Sequence, residues 1–308
     1  MKVLIIGLGS IGKRHVEALK KLRPNCTVFA LRSRENASVQ DGITNIYRWE
    51  DIPDDFSFVI ISNPTSEHYT TISQCIPLNV PLFIEKPTLM SLNGAKELIE
   101  TVHKNEIQTY TAFNMRFHPV LQWLKEELPL DKVLEVSAYC GSYLPEWRTG
   151  TDYRSTYSAR RKLGGGVHLD LTHELDYIKW LFGAPQEVYA YTSKVSDLEI
   201  DSADYAHYHL AYKSYNASIS LNYYRRKPRR NLEIVMKDQT WEVDLLQNKV
   251  VSDTGEMLFE ENEDRQLMYE RQMQYFLSKV ENGQPLMNNL QESVDTLSIA
   301  LPQRKTHA

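Results

Sequence analysis

Cysteine is scarce in this chain of 308 residues. Its three thiols, Cys26, Cys75 and Cys140, stand far apart, with neither the density of a disulfide scaffold nor metal-ligand spacing. They are expected as buried or incidental thiols in a reducing compartment, and the chain as a cytoplasmic protein without a bound metal. No apolar run approaches the length of a membrane span. The opening Met1-Lys2 with its few apolar residues is cut by Gly7, too early for the core of a signal peptide. Positive charge is not in excess either: 35 Lys and Arg face 40 Asp and Glu, a net charge of -5 that argues against a general nucleic-acid binder. Internal repeats and low-complexity linkers are absent. Hydrophobic residues at 42% and charged ones at 24% describe an ordinary globular chain, long enough for one large or two ordinary domains.

Residues 3–12 supply the clearest positive signal. The run Val-Leu-Ile-Ile fits a buried parallel strand and leads into G-x-G-x-x-G at Gly7, Gly9 and Gly12. From Lys13 to Leu22 the spacing is helical, with Val16, Leu19 and Leu22 on one side. In such a strand–turn–helix unit Gly7 makes the turn and Gly9 lets the backbone approach a diphosphate. Gly12 lets the helix pack on the strand. The diphosphate then meets free N–H groups at the positive end of a helix. Gly7, Gly9, Ser10, Ile11 and Gly12 are therefore candidate dinucleotide contacts.

The pattern continues as alternating elements: strands over 27–31, 56–62, 81–85 and 108–113, and helices over 66–75 and 91–104. This alternation predicts a parallel sheet covered on both faces, with ligands beyond its carboxyl ends. After about residue 119 the character changes. Residues 133–140, 186–195, 203–224 and 231–251 alternate and are rich in Val, Tyr and Thr, which predicts a mostly antiparallel sheet. Helices are expected near 167–182 and over 266–281. The fold class is thus α/β followed by α+β. A doubly wound dinucleotide domain occupies 1–118, and an open-sheet substrate and oligomerisation domain occupies 119–308.

The second strand ends Ala30-Leu31-Arg32-Ser33-Arg34, with no carboxylate before Glu35. Enzymes that use NAD usually place Asp or Glu in this region to hold the ribose hydroxyls. Arg32 and Arg34 are suited to clasp a 2′-phosphate, with Ser33 adding a hydrogen bond, so NADP(H) is expected over NAD(H). The alternative is two solvated arginines and NAD(H) held by backbone contacts.

Four further motifs join the glycine loop. Asn63-Pro64-Thr65 follows a strand, with His68 one turn on. Glu85-Lys86-Pro87 ends another strand, and Asn114-Met115-Arg116-Phe117-His118-Pro119 a third. Gly164-Gly165-Gly166 precedes Asp170, His173 and Asp176. Together these residues resemble the Gfo/Idh/MocA oxidoreductases over nearly the whole chain. From Trp147 through Asp152-Tyr153-Arg154 to Leu181-Phe182-Gly183 the sequence is similar to members that serve surface-polysaccharide or nonulosonic-acid sugar synthesis.

The resemblance implies a Rossmann domain with an open antiparallel sheet, a nicotinamide cofactor, and sugars or related polyols as substrates. It also implies that Lys86 binds the reacting oxygen and helps move its proton. Ser62, Asn63, Pro64, Thr65, His68, Glu85, Asn114 and Arg116 are implied to line the cofactor. Read without the resemblance, His68 also fits a helix-surface histidine and Arg116 a strand-end salt bridge. Many family members place an Asp four residues before the His. Here Leu169 holds that place and Asp170 is three before His173. On a wheel of about 100° per residue, His173, Glu174 and Tyr177 fall within roughly 60° on either side of Asp170, beside an apolar stripe of Leu171, Leu175, Ile178 and Phe182. An adjacent carboxylate would fix the tautomer of His173. The plainer reading is an exposed polar helix face; the resemblance favours catalysis. A lysine from the first domain and an imidazole from the second are thus expected to serve one reaction.

Two basic clusters stand out, Arg154 with Arg160, Arg161 and Lys162, and Arg225 to Arg230. An anionic substrate such as a sugar nucleotide or carboxylated sugar fits the first, with Tyr153 and Arg154 as contacts. The second fits a solvated strand end or subunit contact equally well. Alternating Tyr and aliphatic residues at 205–224 are expected to leave apolar surface, and hence a homodimer or homotetramer through this sheet. The expected function is hydride transfer between NAD(P)(H) and a sugar hydroxyl or keto group. Two alternatives remain: an epimerase or lyase that oxidises its sugar transiently, and a non-catalytic NADP-binding sensor or assembly protein.

Overall fold

The computed structural model describes residues 1–34, 40–264 and 266–301; Glu35 lies outside the described residues. Contacts within the chain divide it into two compact units, one of Met1–Asn114 with Arg265–Asp295, the other of Met115–Asp264 with the end of the last helix.

The first unit is built on a six-stranded parallel sheet of order β3-β2-β1-β4-β5-β6. The strands are β1 (Lys2–Ile6), β2 (Thr27–Leu31), β3 (Ile43–Ile46), β4 (Phe58–Ile61), β5 (Leu82–Ile84) and β6 (Thr109–Thr111). Between them lie α1 (Ser10–Leu22), α2 (His68–Cys75) and α3 (Ala95–Lys104). The central strands read as uninterrupted apolar runs because helices cover both faces: every residue of β4 is buried. The strand order doubles back at β1, which puts the β1 and β4 carboxyl ends side by side, where a doubly wound sheet binds its ligand. Two elements differ from expectation. β3 is a short edge strand that carries only two buried side chains, too few for a period to show. α3 begins at Ala95 rather than residue 91, because Gly94 takes a left-handed conformation (φ 73°) before it.

The second unit carries an eight-stranded sheet of order β14-β13-β12-β11-β7-β10-β9-β8. Its elements are α4 (Pro119–Glu127), β7 (Val133–Tyr143), α5 (Val167–Asp170), α6 (Thr172–Phe182), β8 (Glu187–Ser193), β9 (Tyr205–Ala211), β10 (Asn216–Asn222), β11 (Tyr224–Met236), β12 (Thr240–Asp244), β13 (Lys249–Ser252) and β14 (Met257–Glu260). All neighbours are antiparallel except β7 and β10. The single helix expected over 167–182 is two, broken at Leu171, whose φ of -100° and ψ of 24° leave the helical region.

The sheet's two faces differ in chemistry. Ala206, Tyr208, Leu210, Ala217, Ile219 and Leu221 are buried. The alternate positions carry His207, His209, Ser218 and Ser220, with Tyr189 and Tyr191 each 59% exposed on the edge strand β8. The other face is therefore mainly aromatic and polar, with Ala211 half-buried at its end, a correction to the expected apolar surface: period-two alternation sends Ala206, Leu210, Ala217, Ile219 and Leu221 inward.

The chain closes with α7 (Gln266–Glu281) and α8 (Leu290–Ala300). The sequence assigns α7 to the second domain, but its contacts place it in the first unit. Phe276 explains this: its ring lies 5.0 Å from that of Phe58 and 5.2 Å from that of Phe83, edge-on to both, under the parallel sheet. No helix among the described residues is long and apolar enough to cross a membrane.

Candidate active site

Gly7 has φ +90°, and a Cβ there would stand 2.3 Å from the Asn63 nitrogen, so only glycine lets the β1 and β4 turns meet. Ser62 ties the same turns together, its hydroxyl donating to the Gly7 carbonyl at 2.7 Å. Gly12 packs as closely, its would-be Cβ 2.4 Å from the Gly7 oxygen. Gly9 is different: among the described residues nothing lies within 4 Å of the place its Cβ would take. It caps α1 without a side-chain hydrogen bond, and no acidic residue stands in the first turn. The leading amides of α1, on Ser10, Ile11 and Gly12, have no intrahelical acceptors. Open space, aligned N–H donors and no competing carboxylate suit the diphosphate of a dinucleotide.

At the end of β2, Arg32 donates through Nη1 to the Asn45 side chain at 3.2 Å, which steadies it against β3, while Ser33 and Arg34 are exposed. Thr65 is buried and Pro64 exposed in the turn before α2.

Glu85 and Lys86 sit at the end of β5. Glu85 is buried; its Oε1 lies 2.5 Å from Nε2 of the fully buried His15 on α1, and its Oε2 takes the Lys86 backbone N–H at 3.0 Å. Burial alone would raise this carboxyl, but the His15 hydrogen bond and charge, with Lys86, hold it below its ordinary value. Glu85 therefore braces Lys86 from beneath rather than reaching a ligand. His68 is no surface histidine. Its ring is 1% exposed and bridges two turns, with Nε2 3.0 Å from the Asn63 carbonyl and Nδ1 3.1 Å from those of Pro87 and Thr88. Burial lowers its pKa. Lys86 itself is half-buried, ahead of a cis Lys86–Pro87 peptide.

In the second unit the salt-bridge reading of Arg116 holds. Its guanidinium, 8% exposed, grips Asp176 on α6 bidentately at 2.8 and 2.9 Å, so it braces that helix. Asn114 belongs to the first unit and is half-buried. Asp170 ends α5 buried, its Oδ2 taking the Tyr223 hydroxyl at 2.5 Å. Because the helix breaks at Leu171, the wheel that joined Asp170 to His173 does not run through. A carboxylate at the imidazole is that of Glu174, whose Oε1 lies 3.1 Å from His173 Nε2. Glu174 also takes Arg230 Nη2 in a short contact on Oε1 and the Tyr177 hydroxyl at 2.7 Å on Oε2. Burial would raise Glu174, yet Arg230 and then His173 hold it at about 2.

Glu174 and Arg230 are the pair that sequence reasoning underused. Arg230 was read in a basic run, but strand alternation sets it in phase with the buried Leu232, Ile234 and Met236, and that phase was the available signal. The rest of the run divides. Arg226 lies over the Tyr143 ring at 3.7 Å, and Arg225 and Arg229 lie over Tyr139, each at 5.2 Å.

His168 is pushed down to about 4, by burial and then by Arg161. The glycine triplet serves packing: a Cβ on Gly165 would stand 2.1 Å from the Tyr157 carbonyl. Arg154 is exposed and already paired with Asp152 and Glu199, each at 2.9 Å, and the Tyr153 hydroxyl accepts the Glu199 amide at 3.2 Å. No cluster of three or more His, Cys, Asp or Glu placed to hold a metal occurs among the described residues.

Known proteins share this organisation. The profile described as oxidoreductase family, NAD-binding Rossmann fold, matches residues 1–113, and that of the GFO/IDH/MocA C-terminal domain matches residues 127–243. A myo-inositol 2-dehydrogenase of Thermotoga maritima is 27% identical over 66% of this chain and 61% of its own length. A 2,7-anhydro-N-acetylneuraminate hydratase of Mediterraneibacter gnavus is 25% identical over 60% of this chain and 50% of its own. Each match spans less than two thirds of the relative. The solved UDP-N-acetylglucosamine 3-dehydrogenase GnnA of Acidithiobacillus ferrooxidans has the same fold, with a TM-score of 0.78 at 21% identity, over 98% of this chain and 95% of that one. With its parallel-sheet unit matched by the nucleotide-binding profile and its antiparallel sheet by the C-terminal one, the chain belongs to the Gfo/Idh/MocA oxidoreductase family.

Proposed function

We propose that this protein is an NADP(H)-dependent oxidoreductase that interconverts a hydroxyl and a keto group on a sugar or sugar derivative. The observation that carries the proposal is the opening at Gly9, an anion seat at the head of α1 that no side chain of the described residues fills. Arg32, Ser33 and Arg34 at the end of β2 favour a 2′-phosphate. The relatives named for inositol and sugar dehydrogenases support the substrate class.

Oxidising a carbinol breaks a C–H and an O–H bond. A bound nicotinamide supplies the hydride acceptor; the protein must receive the proton. Lys86, whose backbone N–H is fixed by Glu85, is assigned as the ammonium that hydrogen-bonds the reacting oxygen. His173 is assigned as the base that takes the proton, and as the acid that returns it in reduction. Tyr153 is the proposed substrate contact. Arg154, already neutralised by two carboxylates, would act as a directional donor rather than an unpaired cation. Asp170 is assigned to shape the substrate side through Tyr223.

Calorimetry with the two dinucleotides tests the cofactor assignment. NADP(H) is expected to bind at least tenfold more tightly, since one charge-assisted hydrogen bond contributes about 1.5–3 kcal/mol; tighter NAD(H) would refute it. A second reading, transient oxidation within an overall hydration, elimination or epimerisation, draws support from the relative named as a hydratase. Net NADPH accumulation with substrate separates the two. We further propose a cytoplasmic homodimer or homotetramer joined through the Tyr189–Tyr191 face of the open sheet, where two large aromatic side chains stand exposed on an edge strand.

A further inference from the structure

We propose that His15, on α1, is a positioning residue for Lys86: it holds the Glu85 carboxylate against the Lys86 backbone N–H and so fixes the strand end from which that side chain departs. The inference rests on the assignment of Lys86 as the ammonium at the reacting oxygen. It gives α1 a second task, since the helix whose head offers free amides also anchors the lysine at the end of β5.

The contacts run through the interior of the first unit. His15 is fully buried, and its Nε2 lies 2.5 Å from Glu85 Oε1. The other carboxylate oxygen, Oε2, accepts the Lys86 N–H at 3.0 Å. Burial pushes the Glu85 carboxyl up, but the His15 hydrogen bond and charge, and then Lys86, bring it below its ordinary value. An ionised carboxylate only accepts hydrogen bonds, so the imidazole is the donor and Nε2 carries hydrogen. The surroundings of the ring are otherwise aromatic. It stands edge-on to Phe83 at 4.8 Å and to Tyr269 at 6.0 Å, and its Nδ1 finds no hydrogen-bond partner among the described residues. Burying a half-satisfied imidazole costs stability that an apolar side chain would keep. What histidine supplies here, and methionine would not, is the donor to Glu85. Without that donor, burial draws the carboxyl toward its neutral form, a weaker acceptor for the Lys86 N–H. The backbone at residue 86 then loosens, and the ammonium with it. A displacement of about 1 Å at a reacting group costs about 10²-fold in rate.

The experiment compares the wild type with His15→Gln, whose amide N–H reaches the same place, and with His15→Met, which fills the space without a donor. Carbon-13 NMR of the NADP(H)-loaded protein follows the Glu85 carboxyl, assigned with Glu85→Gln, and hydrogen exchange follows the Lys86 amide. His15→Met should raise the Glu85 titration midpoint, speed exchange of the Lys86 amide and lower kcat by about 10²-fold at nearly unchanged cofactor affinity. His15→Gln should restore most of all three. Unchanged titration and exchange in His15→Met overturn the inference, and so do equal losses in the two variants, which mark a packing role alone. Should His15→Met not fold, the wild type decides: a slowly exchanging His15 Nε2 proton supports the inference, and its absence overturns it. Full turnover by Lys86→Ala overturns the assignment beneath it, while titration and exchange still report whether His15 holds Glu85 in place.

Discussion

Gly9 is the position at which the structure separates folding from binding. Its φ of -80° and ψ of -166° are open to any L-residue, and no atom of the described residues lies within 4 Å of the place a Cβ would take. Gly9→Ala therefore meets no clash in the protein alone. By narrowing the unfolded ensemble it is expected to stabilise the first unit by about 0.4–1 kcal/mol. That corresponds to a rise of roughly 1–4 °C in the melting temperature of a body this size. In the complex the same methyl occupies the space a diphosphate needs. Displacing the diphosphate from one α1 amide forfeits a charge-assisted hydrogen bond of about 1.5–3 kcal/mol, which is about 10- to 150-fold in affinity. Gly7→Ala is the contrasting control: its Cβ would collide with Asn63 at φ +90°, so it should melt far below the wild type. Differential scanning fluorimetry of the cofactor-free proteins and calorimetric titration with NADP(H) measure both effects. A folded Gly9→Ala protein that binds either dinucleotide as the wild type does would refute placement of the diphosphate at this turn.

Three more outcomes follow from other contacts. Asp176→Asn breaks the buried pair with Arg116 and is expected to cost about 3–5 kcal/mol, read as a lower urea midpoint; a change within experimental error would remove the bracing role. Glu174 sits at about 2, below its ordinary 4.5, so the stability it contributes is complete above about pH 5 and is lost as pH falls toward 2; it amounts to about 3 kcal/mol. Acid titrations of stability should be shallower in Glu174→Gln/Arg230→Met, and equal slopes would contradict that. Tyr189→Glu with Tyr191→Glu should release monomers in light scattering, whereas a monomeric wild type would contradict the proposed assembly.

The sequence made the first unit legible because buried parallel strands and glycine turns leave strong local marks. β1, α1 and β4 lie close to where periodicity put them, and Gly7 and Gly12 make the turn and the close packing their spacing implied. The second unit was legible as a mostly antiparallel sheet, but the length of its strands depended on turns such as the one after Ala211, where Tyr and Ser supply no glycine or proline to mark the break. The site was harder to read for a physical reason. The helix break falls at Leu171, a residue with no breaker chemistry of its own, and the arginine that holds Glu174 comes from β11, 56 residues away. Likewise the partnership of His15 with Glu85 spans 70 residues, and no local pattern records it.

The central claim is that Lys86 and His173 handle the proton of a hydride transfer from a sugar carbinol. Single-turnover reduction of enzyme-bound NADP+, followed by nicotinamide absorbance with a panel of sugar nucleotides and carboxylated sugars, tests it most directly. The wild type should reduce its cofactor with at least one of them, and Lys86→Ala and His173→Ala should each be slower by about 10²–10⁴-fold at nearly unchanged cofactor affinity. Wild-type rates in both variants would contradict the account.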